Sequence, residues 1–140
     1  MAEPISSDLV ARAAALAKEA HQGQFRRDGI TPYISHPKAV AARVAGDPQA
    51  EAVAWLHDVL EDTPVTAEVL RSQQIPEEVI RAVSMLTKAD GTDYEVYLMA
   101  IKANPLAKKV KIADMLSNLS DQPSEKQILK YAKGLTILLT

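Results

Sequence analysis

With 140 residues, 47% hydrophobic and 24% charged, the chain has ordinary globular composition, enough to bury a core and too little for a second catalytic module. A net charge of −2 and only one Trp, four Tyr and one Phe argue against the basic, ring-bearing stripe of a nucleic-acid surface. Zero Cys excludes disulfides, thiolate metal sites and a thiol nucleophile, so any metal must be held by nitrogen and oxygen.

Chain order reads as helices separated by Pro, Gly and small polar residues, with no period-two run that predicts a strand. Ser6 or Ser7 is placed to cap a first helix to about Gln22, with Leu9, Val10, Ala13, Leu16, Ala17 and Ala20 as its apolar stripe. Residues 23–35 carry two Gly and one Pro without helical periodicity and read as a loop. Pro37 opens a second helix to about Ala45, and Asp47-Pro48 opens a third over 48–61 that Thr63-Pro64 ends. Thr66 caps a fourth, Pro76 starts a fifth (76–87), and Thr92 or Asp93 begins a sixth to about Lys102. Helices over 105–119 and 124–139 complete an all-α bundle of about eight helices, expected to be one domain over 1–140. No apolar run reaches membrane-spanning length, and Met1-Ala2-Glu3-Pro4 lacks the features of a signal peptide, so a cytoplasmic protein is expected, with no membrane or nucleic-acid partner.

The third helix carries the chemistry. At about 100° per residue, Ala52, Val53, Leu56, Val59 and Leu60 fill one apolar arc, and His57, Glu61, Asp58 and Asp62 crowd the adjoining sector as stacked i,i+4 pairs. Three carboxylates stacked this way repel one another, so a positive partner is expected. A divalent cation on His57 and Asp58 supplies it and leaves Glu61 and Asp62 one turn on, beside the attacking water. The competing reading is a solvated helix face, which more often mixes Lys or Arg with its acids.

Two further segments can complete a ligand shell. His36, one of three His, sits where the loop meets the second helix; a capping or part-buried His is its plainer reading. Asp114 and Asn118 form an i,i+4 pair among Val110, Ile112, Ala113, Leu116 and Leu119. A carboxylate in such company needs a partner, either a metal or, more simply, backbone or Lys111.

Four ordered blocks carry a resemblance: Ala20-His21-Gln22-Gly23-Gln24-Phe25-Arg26; Pro32-Tyr33-Ile34-Ser35-His36-Pro37; Leu56-His57-Asp58-Val59-Leu60-Glu61-Asp62-Thr63; and Lys111-Ile112-Ala113-Asp114 with Asn118. They resemble the HD-type metal-dependent phosphohydrolases, specifically the hydrolase domain of RelA/SpoT homologues and the stand-alone small alarmone hydrolases. The resemblance implies an HD-domain fold and one divalent metal, usually Mn²⁺, held by His36, His57, Asp58 and Asp114. It implies that Glu61 and Asp62 position and deprotonate the attacking water, and that Arg26, Asn118 and Tyr131 contact a nucleotide. His21 is expected to brace the loop or the ligands. Two ligand aspartates neutralise a divalent ion and Glu61 with Asp62 add further negative charge, so an anionic substrate needs cations nearby; Arg26 and Arg27 are the candidates. Lys88, Lys108, Lys109 and Lys111 read as surface charges, and Met115, Ser117 and Ser120, where alarmone-hydrolysing relatives usually have basic residues, imply a less cationic pocket.

The implied reaction is hydrolysis of guanosine 3′,5′-bis(diphosphate) to GDP and pyrophosphate. A same-chemistry alternative is a phosphatase acting on a nucleotide or NADPH; one of another class is a nucleotide sensor without turnover, against which the Glu61-Asp62 pair speaks. The apolar end, Leu135-Thr136-Ile137-Leu138-Leu139, reads as core packing, with a homodimer contact as the alternative.

Overall fold

Nine helical segments follow one another in the computed structural model, which describes residues 5–140, and no strand ladder forms among the described residues. They are α1 (Ile5–Ala20), α2 (Ser35–Arg43), α3 (Pro48–Leu56), α4 (Val59–Asp62), α5 (Ala67–Ser72), α6 (Glu77–Leu86), α7 (Tyr94–Lys102), α8 (Pro105–Leu119) and α9 (Glu125–Leu139). The Met1–Pro4 stretch read for a leader lies outside the described residues. α1 is already helical ahead of Ser6 and Ser7, and α2 starts two residues before Pro37. No helix is long and apolar enough to cross a membrane among the described residues.

Local signals set most of these boundaries. Asp47 caps α3 by accepting from the Ala50 N–H, Thr66 caps α5, and Asn104 caps α8 just ahead of Pro105. α9 opens with a reciprocal capping box between Ser124 and Gln127. The expected third helix is the main departure: it breaks after Leu56 and resumes at Val59. Asp58 there has φ −104° and ψ 0°, the bridge region, which turns the chain out of helical register.

α3 is the central strut, packed against α1, α2, α6 and α8. Small residues allow the approach: Ala13 and Ala17 of α1 and Ala50 and Ala54 of α3 are completely buried. On the other flank α9 packs on α7 and α8. A methyl at Gly134 would sit 2.8 Å from Met115 Cε and 3.4 Å from Leu98 Cδ1, so this glycine marks the close approach of α9. Leu138 is buried in the core, while Leu139 is exposed.

Candidate functional site

Three stretches of chain aim polar side chains into the middle of this apolar frame. His36 comes from the first turn of α2, His57 and Asp58 from the break between α3 and α4, and Asp114 from α8. His36, His57 and Asp114 are buried, and one ligand atom from each lies within 4.8 Å of the other two. Asp58 adjoins them, with Oδ2 3.1 Å from His57 Nε2. Asp58 sits at the break in the expected helix, while the Asp62 N–H still donates to its carbonyl oxygen at 2.9 Å.

Hydrogen bonds fix which atoms face inward. His57 Nδ1 lies 2.6 Å from the Ala54 carbonyl oxygen, an acceptor only, so Nδ1 carries the hydrogen. In the neutral ring this leaves the Nε2 lone pair free. Nε2 is buried and makes no hydrogen bond, although Asp58 Oδ2 is 3.1 Å and Asp114 Oδ1 3.5 Å away. Asp114 Oδ1 is 2.8 Å from His36 Nε2 and accepts from Asn118 Nδ2 at 3.2 Å; Oδ2 faces Lys111 Nζ at 3.2 Å. Tyr33 donates its hydroxyl to Asp58 Oδ2. An orphaned imidazole nitrogen between carboxylates is a donor set that fits a divalent cation bound by nitrogen and oxygen.

Electrostatics follow from burial opposed by close partners. Burial alone would raise Asp114, but Lys111, His57 and His36 hold it well below the usual carboxylate range. Burial disfavours a charged His57, yet Asp58 and Asp114 outweigh that and raise it well above its ordinary value. Lys111 is likewise raised despite burial, chiefly by Asp114. Asp62, pushed up by burial and then by Asp58 and Glu61, holds a proton more readily than a free aspartate.

Two cavities flank the cluster. The first, about 340 Å³, is lined by His57, Asp58, Glu61 and Asp114 together with Lys88, Lys111 and Lys130 and the rings of Tyr94 and Tyr97. Glu61 is exposed and accepts the Lys88 backbone N–H at 2.7 Å, which ties α4 to the segment after α6. The second, about 380 Å³, is lined by Phe25, Arg26, Arg27, Asp28, Tyr33, Asn118 and residues that lead into α9. Its loop is a small hairpin: Phe25 bridges Pro32, and Asp28 Oδ1 accepts from the Ile30 and Thr31 N–H groups at 2.8 Å each. Arg26 lies 5.8 Å from the Tyr33 ring centre and contacts Asp121 at 3.2 Å.

Other expectations fare variously. His21 is buried, with Nδ1 2.8 Å from Gln24 Oε1, and Gln24 Nε2 donates to the Asp62 carbonyl at 2.9 Å, so His21 braces the loop against α4. Asp62 and Tyr131 line neither cavity; Tyr131 is part-buried, with the Lys130 ammonium 5.6 Å from its ring centre. Two lysines differ from the surface reading. Lys111 is tucked against Asp114, and Lys88 lines the first cavity. The expected shortage of positive charge is made up from these two and Lys130. The signal for Lys111 was its spacing, three residues before a buried aspartate; Lys88 and Lys130 had none, because only folding brings α6, α8 and α9 together.

Two imidazoles and a carboxylate from three separate stretches, with Asp58 beside them, meet inside a helical bundle as a donor set that could hold a metal ion. The chain belongs to the HD domain family, whose sequence model matches residues 13–115. It is 36% identical over 117 residues to a guanosine-3′,5′-bis(diphosphate) 3′-pyrophosphohydrolase of Haemophilus influenzae, which covers 74% of this chain and 17% of that protein. It is 34% identical to a probable GTP pyrophosphokinase of Mycobacterium leprae (93% of this chain, 18% of that protein) and 32% identical to the 3′-pyrophosphohydrolase of Aquifex aeolicus (83% and 18%). The chain therefore spans less than a fifth of these curated relatives. Its fold matches a solved structure described as a metazoan ortholog of SpoT that hydrolyzes ppGpp, with TM-score 0.75 at 24% identity, over 99% of this chain and 86% of that one.

Proposed function

We propose that this chain is a metal-dependent phosphohydrolase that removes the 3′-pyrophosphate of guanosine 3′,5′-bis(diphosphate). The observation that carries the reading is the convergence of His36, His57 and Asp114, with Asp58 alongside, at the wall of a cavity that also holds an exposed carboxylate, Glu61. The names of the relatives supply the substrate.

His36, His57, Asp58 and Asp114 would hold one divalent cation, with Mn²⁺ the ion the family resemblance suggests. Bound there, such an ion lowers the pKa of water and stabilises developing charge on a phosphoryl oxygen. The chain's own residues supply the rest. Glu61, exposed at the cavity wall, takes a proton from the attacking water. Asp62, one residue on with its carboxyl raised, is exposed and lines neither cavity, so the transfer falls to Glu61. The water oxygen bonds to the inner phosphorus as the bond from that phosphorus to the 3′ oxygen breaks. The proton taken by Glu61 passes to the departing 3′ oxygen, which leaves as a hydroxyl, and the second water proton is released from the product pyrophosphate. Arg26, Arg27 and Asn118 on the second cavity orient the nucleotide; Tyr131, which lines neither cavity, takes no part in this arrangement.

The test is incubation of Mn²⁺-loaded protein with guanosine 3′,5′-bis(diphosphate), nucleoside monophosphates and NADPH, with products resolved by chromatography. GDP and pyrophosphate are expected. Free phosphate from NADPH or a monophosphate would instead identify a phosphatase, and tight binding without products a sensor.

A further inference from the structure

Lys130 behaves unlike its neighbours on α9. Lys133, one turn on, pairs with Glu95 at 2.8 Å, the ordinary fate of a surface lysine. Lys130 pairs with no carboxylate among the described residues; its ammonium lies 4.9 Å from the Tyr94 ring centre and lines the first cavity with Lys88 and Lys111. Burial, and then the positive charges of Lys111 and Lys88, lower its proton affinity. Lys111 is compensated by Asp114, and Lys88 lends only its backbone N–H to Glu61. Two ammonium groups without carboxylate partners thus share one cavity, and like charges gathered this way are relieved when an anion enters. The Tyr94 hydroxyl on the same wall is buried without a hydrogen-bond partner, one more donor without an acceptor.

Charge arithmetic gives the sign of that anion and leaves room for a second phosphate. The lining carries three carboxylates, Asp58, Glu61 and Asp114, against three lysines. Addition of a divalent cation leaves the cavity with a surplus of two positive charges, more than one bridging phosphate needs beside the cluster. We propose that Lys130 is a specificity-determining residue that, with Lys88, holds the terminal phosphate of a pyrophosphate group whose inner phosphate lies at the His57–Asp114 cluster. Lys130 thereby selects a pyrophosphate over a monophosphate at that position. This rests on the hydrolase reading above.

The experiment uses Lys130→Ala, Lys130→Arg and, as a control of equal charge change, Lys133→Ala, all in the full chain. In Mn²⁺-loaded protein, inorganic pyrophosphate binding measured by calorimetry is expected to weaken about tenfold in K130A, to recover in K130R and to be unchanged in K133A. Inorganic phosphate binding stays within about twofold in all three. In steady-state hydrolysis, K130A raises KM for the 3′-pyrophosphate substrate by the same factor, with kcat nearly constant, and leaves KM for the 3′-monophosphate analogue unmoved. Equal weakening for pyrophosphate and phosphate, or none, overturns the inference. If no variant turns over nucleotide while pyrophosphate binding still depends on Lys130, the hydrolase reading fails and the pyrophosphate site stands.

Discussion

The two cavities beside the cluster are similar in size, about 340 and 380 Å³, and both match cationic with anionic side chains one for one, yet their charges are arranged differently. In the loop cavity Arg26 reaches Asp121, and Asp28 of the same loop shares the lining. In the helical cavity Lys88 and Lys130 have no such partners, and the carboxylates present belong to the candidate metal cluster or to Glu61. A compensated arginine orients a ligand at small electrostatic cost, whereas uncompensated lysines beside a cation site favour concentrated negative charge. In the proposed reaction, this difference puts the reacting phosphates on the helical side and the nucleotide on the loop side.

The largest effect should come from the cluster that lies between them. Asp114→Ala removes a candidate ligand and strands the Lys111 ammonium. We expect hydrolysis below detection, loss of Mn²⁺ binding by calorimetry, and about 3–5 kcal/mol of stability lost in urea melts. Metal removal by chelation should act in the same direction without the strain: at a hundredfold excess over its Kd, Mn²⁺ should add about 2.7 kcal/mol of stability that a chelator reverses. Mn²⁺ affinity that survives D114A would remove the cluster from the chemistry and dissolve the comparison.

Next in size is Glu61→Gln, which belongs to the helical cavity alone. A general base there contributes on the order of 10²–10⁴ in kcat. The variant should lose turnover by that factor yet bind Mn²⁺ and nucleotide as the parent does, since Glu61 is exposed and bonded only to the Lys88 N–H. Arg26→Ala tests the loop side. It should raise KM about tenfold with kcat within about twofold, and leave inorganic pyrophosphate binding untouched. A fall in kcat of the same size as the rise in KM would place Arg26 with the reacting phosphates instead.

The smallest effect is one of pH. The Thr31 hydroxyl, then the Ile30 and Thr31 N–H groups, hold the Asp28 carboxyl below its ordinary value. A depressed folded value means a contribution to loop order that is complete above the ordinary aspartate range, near pH 4, and lost as pH falls through the folded value. Protection of the Ile30 and Thr31 amides from hydrogen exchange should decline in that window. In Asp28→Asn it should be weak at every pH, while exchange around Lys88 and Lys130 stays as in the parent.

Much of this molecule was determined locally. Asp47, Thr66, Asn104 and Ser124 each carry a side chain that satisfies helix-end N–H groups, so helix starts were legible in the residues themselves. The candidate ligands were legible in part: Asp114 among apolar residues needs a partner, and His57 and Asp58 share one helical sector, whereas His36 joined them only through the family resemblance. What sequence could not express was convergence. The break at His57–Asp58, with Asp58 in the bridge region and bonded to Tyr33, depends on a side chain from a different stretch. Lys88 and Lys130 look like any surface lysine until α6, α8 and α9 pack and enclose them in one cavity with Asp114. Caps and periodicity act over one or two turns of chain, so sequence alone determined the helices and the identity of the polar groups. The electrostatic partners of those groups are set by distances across the core, which exist only once the apolar faces have been buried together.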